Sequence, residues 1–223
     1  MNGLKERNMK KYNVIYCDPP WDFKGGGIYQ DNGRKDRSIS DEYKLTKTID
    51  LKELPINNLA DDDCFMFMWV TDSHLKQGID LMEGWGFRYS TIAFVWLKQY
   101  HTGNNCYNVG RWTMKSTEIV LLGLKGKPLK YKKAKNVKAF VEAERTKHSV
   151  KPNEVRKRIL DLCGDIPRIE LFAREKKEGF DVFGNEVKNN GVLDDVRNCD
   201  CLEEDRVEED GEIYCLKCND KRD

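Results

Sequence analysis

The sequence predicts an α/β protein with a mostly parallel, doubly wound sheet and a small C-terminal appendage. Short apolar runs at residues 14–17, 64–70, 90–97, 118–124 and 168–174 alternate with longer amphipathic stretches, as strands separated by helices do. The run at 64–70 is continuous rather than alternating, which marks a strand covered on both faces. Residues 191–223 break the pattern, holding 12 acidic and 5 basic side chains and four of the eight cysteines. A chain of 223 residues therefore reads as one α/β domain over 1–190 and a tail over 191–223.

The first strand, Val14-Ile15-Tyr16-Cys17, runs into Asp18-Pro19-Pro20-Trp21. Two prolines stop the strand and fix the backbone, so the Asp18 carboxylate and the peptide carbonyls beyond it are held rigid at the sheet edge. Such groups accept hydrogen bonds from both hydrogens of an exocyclic amine, and the Trp21 indole offers a flat face beside them. Chemistry on a flipped-out adenine needs both. A glycine-rich polar loop over 24–40 follows, and loops after strand ends in open α/β sheets carry function.

Helical spacing over 49–59 leads to the strand at 64–70. Thr71-Asp72-Ser73 then predicts the N-cap of a helix that ends at Gly84 and Gly86. Strands at 90–97 and 118–124 flank residues 98–117, where Tyr100, His101, Tyr107, Arg111, Trp112 and Lys115 mix with two glycines. Interleaved aromatic and basic residues suit base stacking and phosphate contact; an ordinary surface loop reads the same way. Seven lysines between 125 and 138, Lys132 and Lys133 among them, read either as a phosphate-contacting segment or as a solvated loop. Lys151-Pro152-Asn153-Glu154 opens a helix whose stripe is Val155, Ile159, Leu160 and Leu162, closed by Gly164. Residues 168–174 form the last predicted strand.

The net charge of +1 conceals an asymmetry, because residues 191–223 carry −7 and residues 1–190 carry +8. A basic body suits a polyanionic partner. No apolar stretch approaches the roughly 18–20 residues of a membrane span, and the polar, basic residues 1–11 do not read as a secretion signal. The expected location is the cytoplasm, and a monomer or a homodimer is compatible with the chain. Cys17, Cys64, Cys106 and Cys163 are scattered singly and read as reduced and packed. Cys199 and Cys201, then thirteen residues, then Cys215 and Cys218 form two thiol pairs with the spacing of a tetrahedral structural zinc. An acidic tail without an apolar core would fold on such a metal; redox thiols or a disordered tail are the alternative.

Several motifs, in order and spacing, resemble the MT-A70 family of adenine N6-methyltransferases. They are Asp18-Pro19-Pro20-Trp21, Phe67-Met68-Trp69-Val70, Gly110-Arg111-Trp112 leading to Glu118, and His148 to Glu154. Ile169 to Arg174 and Phe183-Gly184-Asn185-Glu186 complete the set. The resemblance implies a Rossmann-like methyltransferase fold in permuted order, with the catalytic strand first and the cofactor strand last. It implies S-adenosylmethionine as methyl donor, with Asp18 near its reacting end and Lys151 at its methionine carboxylate. Glu170 would meet the ribose hydroxyls, Arg174 would lie nearby, and Asn185 and Glu186 would line the ribose and adenine. Where many relatives have His and Asn after that Arg, this chain has Glu175-Lys176-Lys177. DNA is favoured over RNA as substrate, because the chain is compact and carries no added RNA-binding domain. Members that bind nucleic acid without catalysis lose the acid or the aromatic of the first motif; this chain keeps both.

Overall fold

The computed structural model describes residues 10–21, 51–110, 112–146, 150–184 and 187, together with the backbone of three tail strands. Seven strands form one sheet: β1 Tyr12–Cys17, β2 Ala60–Val70, β3 Arg88–Gln99, β4 Thr117–Lys125, β5 Phe140–Glu144, β6 Arg168–Leu171 and β7 Asp181–Phe183. Their spatial order is β5-β3-β4-β2-β1-β6-β7. Only β4 runs against its neighbours. Residues 100–116 hold no crossover helix between β3 and β4, so that pair closes as a hairpin. The mostly parallel α/β sheet expected from the sequence is observed, and it is compatible with a Rossmann-like methyltransferase fold.

Six of the β1 residues are buried, as expected of a central strand. Its side chains divide between two cores. Ile15 and Cys17 pack with Met66, Met68 and Val70 under helix α2, Leu75–Gly84, which follows the short α1, Ile56–Leu59. Val14 and Tyr16 face the other side, with Phe67, Trp69, Trp96 and Val120, beneath Val155, Ile159 and Cys163 of α3, Asn153–Cys163. Gly164 ends α3 at φ 71°, the left-handed turn its missing Cβ permits.

Because β1 pairs with β2 on one side and β6 on the other, its carboxyl end is a topological switch point. The carboxyl ends of β2, β3, β5, β6 and β7 and the amino end of β4 share that edge. Everything that follows β1 in the sequence opens there.

Three local expectations change. The Thr71-Asp72-Ser73 segment does not cap a helix directly; a 3-10 turn, Asp72–His74, precedes α2, and the Thr71 hydroxyl reaches His74 Nδ1 at 2.8 Å instead of a backbone N–H. The strand expected over 168–174 stops at Leu171, since Phe172 adopts φ 60°. Residues 98–117 are an ordered hairpin rather than a plain loop, paired at Gln99 with Asn105 and at Asn108 with Lys115.

The tail strands β8 Arg206–Glu209, β9 Glu212–Cys215 and β10 Asp220–Arg222 form a separate antiparallel sheet, in which Cys215 opposes Arg206 and Asp220. Cys199, Cys201 and Cys218 lie outside the described residues. Among the described residues, no helix is long and apolar enough to cross a membrane, and no group of three His, Cys, Asp or Glu side chains could hold a metal.

Candidate active site

The strand-end motif supplies the first acid. Asp18 follows β1 directly, on the face shared by Tyr16 and α3. Lys151, two residues before α3, brings its ammonium to 2.9 Å from Asp18 Oδ2 and 3.1 Å from Glu118 Oε2. Lys98, near the end of β3, closes the other side at 2.6 Å from Glu118 Oε1. Four groups of alternating charge, Asp18, Lys151, Glu118 and Lys98, thus line the carboxyl edge. Their floor is aromatic, with the Lys151 ammonium 5.5 Å from the Trp69 ring centre and Lys98 5.4 Å from that of Trp96.

Burial sets the electrostatics. The Asp18 carboxyl is pushed above the ordinary carboxylate range by desolvation, against the pull of the Lys151 ammonium and of Arg174. Desolvation also acts on Glu118, but there two ammonium groups, Lys151 and Lys98, prevail and hold it below its ordinary value. Lys151 itself loses solvent, yet Asp18 and Glu118 together keep it charged, above the usual lysine value. Asp18 keeps 26% of its side chain open while Lys151 keeps 10%. The carboxylate is therefore reachable, and the ammonium behind it is fixed.

One strand over, Glu170 on β6 is held in a bidentate fork: Arg156 of α3 donates from Nε at 2.7 Å and from Nη2 at 2.5 Å. The Arg156 guanidinium lies over the Tyr16 ring at 5.3 Å, and the Tyr16 hydroxyl accepts from Trp69 Nε1 at 2.5 Å. Past β6, Phe172 at φ 60° turns the chain so that Ala173 N–H donates to the Phe183 carbonyl at 2.9 Å. A Cβ on Gly184 would meet the Ala173 carbonyl oxygen at 2.0 Å, so only glycine fits that junction. A non-glycine residue in this region is uncommon and is found where geometry is dictated by function or packing.

Trp21 departs from its expected role. Its indole is 5% exposed, its Nε1 donates to the Trp69 carbonyl at 3.0 Å, and its ring stacks on His74 at 5.6 Å. A large apolar ring gains more from the core than from a solvent-facing platform, so Trp21 staples the segment after Asp18 to β2 rather than presenting an open face. Pro19 is also buried and Pro20 half-buried.

The basic residues split. Tyr100, His101, Trp112 and Lys115 stand on the β3–β4 hairpin at the active edge, and Lys115 pairs with Asp72 just past β2. Lys132 and Lys133 follow β4 at its far end, where Lys133 N–H donates to the Leu162 carbonyl. The nine residues of β4 span roughly 30 Å, so these lysines are not part of one surface with Asp18. Antiparallel β4 carries its following residues away from the edge, which the lysine spacing could not reveal. Arg111, Asn185 and Glu186 lie outside the described residues.

Glu118, Lys98 and Arg156 are members of the site that the sequence reading does not single out. A faint signal exists for Glu118, an acid opening an otherwise apolar strand. Its meaning appears only through the register that sets Trp96 opposite Glu118.

The sequence profile described as MT-A70 matches residues 12–186. The Type II methyltransferase M.MunI of a Mycoplasma species is 38% identical over 194 residues, covering 82% of this chain and 81% of that protein. The human N(6)-adenosine-methyltransferase catalytic subunit METTL3 is 28% identical over 188 residues, covering 82% of this chain and 30% of its own. The MT-A70-like protein of Drosophila melanogaster is 27% identical over 192 residues, 85% of this chain and 28% of its own. This chain thus spans under a third of the two animal proteins and most of M.MunI. Site and match coincide over the same strands, and the chain belongs to the MT-A70 family of adenine N6-methyltransferase enzymes.

Proposed function

We propose that the protein transfers a methyl group from S-adenosylmethionine to the 6-amino group of adenine in DNA. The observation that carries this reading is the partly open Asp18 carboxylate, at the switch point of the sheet, braced by a buried ammonium. An adenine amine is a weak nucleophile because its lone pair is delocalised into the ring. Asp18 and the Pro19 carbonyl accept its two hydrogens, which turns the lone pair outward and favours positive charge growing on nitrogen. Lys151 holds the plane and position of Asp18 while that happens, and Glu118 with Lys98 holds Lys151. Asp18 need not remove a proton at the start; the amine becomes acidic once alkylated, and the proton leaves to water.

The donor set suits S-adenosylmethionine, whose sulfonium supplies an activated methyl and a neutral leaving group. Lys151 has three N–H donors and uses two on Asp18 and Glu118, leaving one for a carboxylate. The Arg156 fork uses one lone pair on each Glu170 oxygen, so two remain for vicinal ribose hydroxyls. Beside Lys151 a cavity of about 340 Å³ is lined by Val150, Asn153, Glu154, Glu175 and Lys177 among others. Arg174, Asn185 and Glu186 complete the cofactor side in this reading, and Lys177 supplies a second cation where the chain departs from its relatives.

DNA is favoured over RNA because the match runs through 81% of a Type II methyltransferase but 30% of the adenosine methyltransferase subunit. The hairpin residues Tyr100, His101, Arg111, Trp112 and Lys115 are the proposed nucleic-acid contacts. In the tail, Cys199, Cys201, Cys215 and Cys218 are proposed to hold a structural zinc, supported by their paired spacing. Metal analysis of the full chain should find about one zinc per molecule, lost in Cys215→Ser/Cys218→Ser; equal metal in both proteins removes this part of the reading. For the reaction itself, the test is incubation with labelled donor and either DNA or RNA, followed by nucleoside analysis. Label in N6-methyldeoxyadenosine supports the proposal, and label confined to RNA or to protein defeats it.

A further inference from the structure

We infer that the tip of the β3–β4 hairpin, residues 109–114, inserts into duplex DNA as an apolar wedge that holds the strands apart while the target adenine is extruded. This inference rests on the DNA reading above. Asp18 lies behind a sheet edge among half-buried groups, so a base paired inside a duplex cannot reach it without leaving the stack. The extruded base leaves a gap and an orphaned partner, and a stacking side chain that fills the gap offsets that cost.

The tip has the chemistry for this. Between the paired residues Asn108 and Lys115 lie Val109, Trp112 and Met114, which are 81%, 86% and 56% exposed. Large apolar side chains turned to water at the end of a short hairpin are not explained by packing in the fold. The tip is nonetheless built, since Asn108 and Lys115 exchange backbone hydrogen bonds at 2.7 and 2.8 Å, and a Cβ on Gly110 would meet the Thr113 carbonyl oxygen at 2.4 Å. Its base is clamped on both sides. Lys115 pairs with Asp72 at the end of β2, and Arg145 Nη1 donates to Asn108 Oδ1 at 3.2 Å.

Charge selects the partner. From residue 98 to residue 117 there is no Asp or Glu, in a chain with 38 of them, whereas Lys98, Arg111 and Lys115 are present. A cationic stem carrying an apolar tip fits phosphates flanking an opened base step better than it fits a second copy of itself.

The test compares a duplex DNA fragment with the same fragment heat-denatured to single strands, using labelled methyl donor. In Trp112→Ala the ratio of duplex to single-strand methylation should fall about tenfold, the size expected from losing one base–aromatic stack, and Trp112→Phe should restore most of it. Val109→Ser provides a second variant with a smaller fall in the same ratio. Trp112 contributes little to the core at 86% exposure, so the fold should survive the change. An unchanged ratio in Trp112→Ala, or a wild-type preference for single strands, overturns the inference and leaves the DNA reading standing. A wild-type dimer that Trp112→Ala converts to a monomer also overturns it, making the tip a subunit contact. Wild-type protein that methylates neither form overturns the DNA reading and the inference together.

Discussion

Replacing Lys151 with methionine should be costly, and the structure sets the size and pH dependence of that cost. The ammonium sits between two carboxylates at 2.9 and 3.1 Å with 10% of its side chain exposed. Removing one partner from a buried charge pair costs about 3–5 kcal/mol, because the partner is left charged and desolvated. Two features place this case near the lower end. Glu118 keeps Lys98 at 2.6 Å, and Asp18 keeps 26% exposure through which water can reach it. A loss of about 3 kcal/mol lowers Tm by roughly 6–12 °C in a chain of this length. The sign with pH follows from Asp18. Its carboxyl already lies above the ordinary range through burial, with Lys151 the main group pulling it back. Without Lys151 it rises further, so the variant is destabilised at neutral pH and the gap to wild type narrows as acid protonates Asp18. Denaturant melts at several pH values measure this, and Asp18→Asn combined with Lys151→Met should recover part of the loss. A deficit under about 1 kcal/mol, as for a surface pair, or one that is the same in acid as at neutral pH, refutes the reasoning.

Three further outcomes follow from the same geometry. Activity should require ionised Asp18, so the acid limb of the kcat profile should lie above the ordinary carboxylate value of about 3.9, with rate falling as pH drops through it; a flat profile down to that value contradicts the assignment. Tyr16→Phe removes the acceptor for the Trp69 indole N–H and should cost about 1–3 kcal/mol in denaturant melts, so an unaltered midpoint would count against that bond. Gly184→Ala drives a Cβ into the Ala173 carbonyl and should destabilise by at least 1–3 kcal/mol, on the order of an overpacked core; a stable, active variant would show the β6–β7 junction to be pliable.

The sheet was legible where strands are continuous and apolar, as in β1 and β2, and where a helix carries a stripe and a glycine stop, as in α3. It was not legible at β5, whose Phe140-Val141-Glu142-Ala143-Glu144 buries only Val141 fully, or at β7, which has three residues. Asp18 and Lys151 could be named from motifs because each sits beside a backbone signal, a double proline or a helix start. Glu118, Lys98 and Arg156 could not, since their roles arise from strand register and helix packing between positions 14 to 53 residues apart. Trp21 misled for a physical reason. An aromatic after a strand end suits stacking on a base and suits filling the core, and only the fold shows that the indole N–H is committed to the Trp69 carbonyl.

The measurement that tests the central claim most directly is nucleoside mass spectrometry of DNA from cells expressing wild-type protein or Asp18→Ala. The account predicts N6-methyldeoxyadenosine with the wild type and background levels with the variant, while purified Asp18→Ala stays folded and largely retains donor binding. Equal N6-methyldeoxyadenosine from both proteins, or none from the wild type, would contradict it.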